Sequence, residues 1–82
     1  MKSKDIKDIL NERPNAVFMA HPTRRAIHGG RAVIARFTQE KGKLPYIAVR
    51  YINRDGTLGF LHRHEARDIR SVTDDNYQGD IK

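Results

Sequence analysis

The chain has 82 residues, no cysteine and a formal net charge of +6, with a pI near 10.1 and a mean hydropathy of −0.73. Those totals allow one domain with a thin core, and they exclude disulfide staples and cysteine-based zinc sites. No apolar run approaches the ~18–20 residues of a membrane span, and MKSKDIKDIL has no signal-peptide core, so a cytoplasmic, reducing setting is expected.

Residues 4–12 place Ile6, Ile9 and Leu10 on one stripe, with Ser3 as expected cap and Asp5 in the first turn. Pro14 ends this helix, because the residue before a proline avoids the α region. Residues 1–14 are therefore expected to form a helix lying on the main body, perched over its open end. Ala16 to Ala20 is a short apolar run read as a first strand. HPTRRAIHGG, residues 21–30, is a loop carrying His21, Arg24, Arg25 and His28.

Arg31 to Thr38 alternates, with Val33, Ala35 and Phe37 expected on the core face and Arg36 on the other. A polar turn with Lys41, Gly42 and Lys43 leads to a third strand, Tyr46 to Asn53, in which Ile47, Val49 and Tyr51 oppose Tyr46, Ala48 and Arg50. Asp55-Gly56 predicts a two-residue type I′ hairpin. Its register sets Tyr51 opposite Phe60 and Val49 opposite His62, and puts Leu58 and Phe60 in the core. His64 to Arg67 reads as one helical or 3₁₀ turn, Ile69 to Val72 as a last strand, and residues 73–82 as a flexible acidic tail.

Five short strands in an antiparallel meander make the chain mainly β. The order resembles an SH3-like barrel of the KOW or Tudor kind over residues 15–72. The resemblance rests on Gly30-Arg31-Ala32-Val33-Ile34, on Tyr46, Val49, Arg50 and Tyr51 before Asp55-Gly56, and on Glu65, Ala66 and Ile69 around a helical turn. It implies a five-stranded antiparallel barrel with a short N-terminal α-helix and a disordered acidic C-terminal tail. It does not choose a function, since such barrels bind RNA, DNA and peptides alike.

The chemistry-bearing residues point away from catalysis. There is no cysteine nucleophile, no Gly-x-Ser-x-Gly elbow and no phosphate-binding glycine loop. The acids fall in the helix, turns and tail. No cofactor or metal is called for: His62 and His64, two apart, read as surface histidines, which would strengthen polyanion binding below about pH 6.5 if they lined a phosphate groove.

The cations are more informative. Residues 16–72 carry eleven Lys/Arg against four acids, whereas residues 73–82 carry one against three. Ten of the sixteen cations are arginine, whose planar fork suits phosphate oxygens. Arg24, Arg25, Arg36, Lys41, Lys43, Arg50 and Arg54 are the candidate nucleic-acid contacts. With Phe18, Phe37, Tyr51 and Phe60 assigned to the core, few rings remain as base-stacking platforms. The expectation is a small, largely sequence-indifferent binder of nucleic-acid backbone, duplex DNA ahead of RNA, in the manner of a bacterial or phage regulatory or DNA-coating factor. The alternative is a protein-interaction module, such as a phage-encoded inhibitor of a host protein, setting its basic face on an acidic partner.

Overall fold

The computed structural model describes residues 1–22 and 29–81. Arg24, Arg25 and His28 lie outside the described residues. The elements are α1 (Ser3–Glu12), β1 (Ala16–Ala20), β2 (Gly30–Thr38), β3 (Tyr46–Ile52), β4 (Leu58–His64), a 3₁₀ turn (Ala66–Asp68) and β5 (Ile69–Asn76). They form one antiparallel five-stranded sheet in the order β4-β3-β2-β1-β5. Among the described residues, no helix is long and apolar enough to cross a membrane.

Mainly-β character and the N-terminal helix are as the sequence suggests, but the expected closed barrel is an open sheet. β4 and β5 are its two edges, and among the described residues no ladder joins them. The Met1 ammonium donates to Ile69 O, the first carbonyl of β5, and to Ala66 O in the 3₁₀ turn at 3.3 Å.

α1 begins one residue earlier than its stripe implies. Ser3 is the first helical residue, so it does not cap; Lys2 holds that position with no side-chain bond. Ile6 is fully buried, and Ile9 and Leu10 pack beside it against Phe18, Ile47 and Ile69. Arg13 pins the helix end to β5, donating to Thr73 O at 2.9 Å, Asp75 O at 2.8 Å and Asn76 Oδ1 at 3.1 Å.

β1 is an interior strand, between β2 and the edge strand β5, and is buried on both faces. Phe18 belongs to the core under the helix, and Val17 to a second cluster with Val33 and Ile81. Burial on both sides explains why its apolar run does not alternate. β2 can return beside it only through Gly29, whose φ is +57° and whose missing Cβ would stand 2.8 Å from Ala20 O.

Two irregularities decide which side chains face where. In β2, Ile34 pairs with Val49 but Arg36 pairs with Ala48, so Ala35 is an extra residue. That bulge puts Ala32, Ile34 and Phe37 on the helix side and Val33 and Arg36 on the other. Phe37 and Arg36 face as the alternation suggests. Val33 does not, because a strict period of two cannot register a bulge.

The β3–β4 hairpin also departs from expectation. Asn53 N donates to Thr57 O at 2.8 Å and Gly56 N to Asn53 O at 3.0 Å, enclosing three residues, Arg54 to Gly56. A type I′ turn needs positive φ at both central residues. Here Gly56 has φ +85° and Asp55 does not share it. The Asp55 carboxylate instead accepts from Thr57 N and Oγ1, at 3.0 and 2.6 Å. Those bonds hold its pKa below the ordinary carboxylate range. A second bulge, between Arg50 and Ile52, offsets the longer turn, so Val49 still pairs with His62. The extra residue turns Phe60 out to 89% exposure. Phe60 is therefore not a core residue and does not pair with Tyr51.

β5 runs to Asn76, beyond the expected Val72, with Thr73 Oγ1 donating to Val17 O at 2.9 Å. The acidic tail forms no further helix or strand among the described residues. Tyr77 Oη still donates to Gly56 O at 2.8 Å, and Ile81 is buried beside Val17 and Val33.

Candidate nucleic-acid interface

The face of the sheet turned away from α1 is built from register. Across β2, β3 and β4, Arg36 pairs with Ala48 and Ala48 with Arg63. In the adjacent row Val33 pairs with Arg50 and Arg50 with Leu61. Directly opposed residues of antiparallel strands share a face. Arg36, Arg50 and Arg63 therefore stand together, and the small side chain of Ala48 leaves a floor between Arg36 and Arg63. On the Arg36 side of that row lies a depression of about 550 Å³ whose lining includes Arg36, Tyr46, Ala48, Arg50, Leu61 and Ile81; Arg63 lies beyond Tyr46 and lines separate hollows with Leu44.

Arg36 and Arg63 are exposed and Arg50 is half-buried. Arg50 Nη1 donates to Gly59 O at 3.3 Å, while its buried Nε has no partner. The Arg63 guanidinium lies over the Tyr46 ring, 3.9 Å from its centroid. Among the described residues, no carboxylate lies within 4 Å of these three guanidinium groups. The nearby acids are engaged elsewhere. Glu40 pairs with Lys43 at 3.2 Å and Glu65 with Arg67 at 2.7 Å. Asp68 accepts from Glu65 N at 3.0 Å. Guanidinium groups that form no ion pair among the described residues raise the local concentration of polyanions.

Of the candidate contacts, the sheet brings Arg36 and Arg50 together. Lys41 and Lys43 lie in the turn next to Tyr46, at one end of β3, and Arg54 is exposed at the other. Lys43 is engaged by Glu40. Arg24 and Arg25 fall outside the described residues. The structure adds Arg63 and Tyr46, which the charge pattern alone does not single out. The Val49–His62 pairing already implies Arg63, since it sets Ala48 opposite Arg63.

His62 and His64 lie on the other face, with Tyr51, so they do not line the arginine depression. Their rings meet Tyr51 edge-on, with centroids 5.6 and 5.8 Å away. His64 is buried, its Nε2 is 2.9 Å from Tyr51 Oη, and its Nδ1 is 3.5 Å from Asp68 Oδ2, too far for a full hydrogen bond. Burial pushes the His64 pKa down, against the opposing pull of Asp68. Burial, then Asp68, pushes Tyr51 up. No group of three or more His, Asp or Glu side chains with metal-ligand geometry occurs among the described residues.

Protonating His64 therefore opposes folding. The unfolded chain takes up that proton near pH 6.5, before the folded one does. Stability should be full above about pH 6.5 and fall as the solution is acidified through the lower folded pKa. Thermal melts at neutral and mildly acidic pH should show this loss, and His64→Asn should flatten it. An identical pH profile in the variant would refute the assignment.

Comparison with known proteins returned no match: no family model, no curated protein and no solved structure aligns with this chain.

Proposed function

We propose that this protein binds nucleic acid through phosphate contacts made by Arg36, Arg50 and Arg63, with Lys41 and Arg54 extending the track along β3. It acts as a binding protein, not an enzyme. The observation that carries the reading is the convergence of three arginines, free of carboxylate partners among the described residues, around the Ala48 floor. Guanidinium forks match phosphate oxygens bidentately. Phosphate contacts carry no sequence information directly, which favours sequence-indifferent binding. The SH3-like reading, of the KOW or Tudor kind, belongs to the same proposal. It is supported by the strand order and by the 3₁₀ turn before β5.

Salt dependence tests it. With about five phosphates engaged, affinity should fall roughly a hundredfold on a single strand, or about five-hundredfold on a duplex, between about 50 and 200 mM monovalent salt. A flat profile in fluorescence anisotropy would defeat the reading. A second reading, docking of an acidic protein segment, draws on the open β4 edge, where Phe60 is 89% and Leu61 54% exposed. A protein that ignores nucleic acid at low salt would favour it.

A further inference from the structure

We propose that the ligand of the arginine trough is a single strand, with a base stacked against the Tyr46–Arg63 pair and phosphates held by Arg36 and Arg50; this rests on the nucleic-acid reading above. Three features lead there.

The first is width. Arg36 and Arg63 flank Ala48 on strands two positions apart, so their backbones stand about 9–10 Å from each other. A duplex, broader than its own major groove of about 12 Å, would meet these exposed side chains with its phosphates alone and leave the floor between them empty. An extended single strand can lie in the depression of about 550 Å³ beside Arg36 and Arg50, which has room for a base and its sugar and carries Tyr46 in its wall, with Arg63 over that ring.

The second is chemistry. Tyr46 offers a ring and Arg63 a guanidinium plane, held 3.9 Å from the ring centroid. No carboxylate among the described residues lies within 4 Å of Arg63 to draw it away. Bases stack on both kinds of surface, and such stacking tolerates any sequence. A duplex hides its base faces and would leave the pair unused.

The third is the supply of rings. A preference for duplex requires the core to consume the aromatic residues. Phe60 is 89% exposed and Tyr46 half-buried at the trough, so two rings remain outside the core.

Fluorescence anisotropy on the full chain at about 100 mM salt, against an oligothymidylate of roughly twelve nucleotides, a duplex of equal length and polyglutamate, tests this. The single strand should bind at least about tenfold more tightly than the other two. Tyr46→Ala should weaken single-strand binding by roughly tenfold or more while leaving the salt slope unchanged, and Tyr46→Phe should restore it. Ala48→Leu fills the floor without altering charge, and should weaken the single strand while sparing the duplex. Arg63→Lys keeps the charge but loses the plane, and should do the same. Equal or tighter binding of duplex or polyglutamate overturns the inference. So does unchanged single-strand affinity in folded Ala48→Leu and Arg63→Lys. Duplex binding that persists in that event leaves the phosphate reading standing; no binding of either nucleic acid removes both.

Discussion

Replacing Arg36, Arg50 and Arg63 together by glutamine should abolish measurable nucleic-acid binding at near-physiological salt while leaving the fold in place. Removing one phosphate partner should flatten the slope of log affinity against log salt by about 0.7 on a single strand or 0.9 on a duplex, so the triple variant should lose about 1.4 on a single strand, where Arg63 meets a base, and about 2.7 on a duplex, where all three meet phosphate. Arg36 is exposed, so its removal should shift stability by about 0.5 kcal/mol or less; Arg63 also gives up its contact with the Tyr46 ring, on the order of 0.5–1 kcal/mol. Arg50 adds its bond to Gly59 O, on the order of 0.5–1.5 kcal/mol. The comparison that matters is with Arg31, which is paired with Asp75 at 2.9 Å. Arg31→Gln should change affinity far less than any of the three. Equal losses for Arg31 and Arg36 would mean that only total charge counts.

The largest effect on stability should come from Phe18→Ala. Phe18 is fully buried on the interior strand β1 and packs with the helix residue Ile6 and with Ile47 and Ile69. Truncating a buried phenylalanine costs about 3–5 kcal/mol. A domain of this size has on the order of 4–12 kcal/mol in total, so the variant should be largely unfolded, or melt far below the parent. Phe60→Ser is the matched control. Although sequence alternation places Phe60 in the core, its 89% exposure predicts a change of about 0.5 kcal/mol or less. Urea melts of both variants would decide. A mild loss at Phe18, or a severe one at Phe60, would contradict the packing described above.

Phe60 also shows why part of the fold was legible and part was not. Strand positions followed from apolar runs, prolines and glycines, and β1 to β4 begin within one residue of where those signals put them. Faces were harder, because they depend on register. A three-residue turn and a bulge near Gly59 shift the hairpin by one residue each in opposite senses. The Val49–His62 pairing survives that cancellation, and Phe60, between the two shifts, does not. In β2 the Ala35 bulge does the same to Val33 while leaving Arg36 and Phe37 where alternation had them. Sheet closure was not legible at all, since runs and alternation along the chain are the same for an open and a closed five-stranded meander.

The candidate site divides along the same line. Arg36 and Arg50 could be set side by side from strand parity. Arg63 needed cross-strand pairing, and its stack on Tyr46 is visible only in three dimensions. His62 and His64, flanking Arg63 in sequence, belong to the opposite face, where burial and Tyr51 give them a structural role.

The central claim is that the arginine face, and no other, receives the polyanion. Two-dimensional ¹H–¹⁵N spectra recorded while an oligothymidylate is titrated into the labelled protein test it residue by residue. The expected result is a contiguous set of shifted amides at Arg36, Tyr46, Ala48, Arg50, Leu61 and Arg63, with α1 and β5 unmoved. Shifts gathered on α1 or β5, or none at all at low salt, would contradict it.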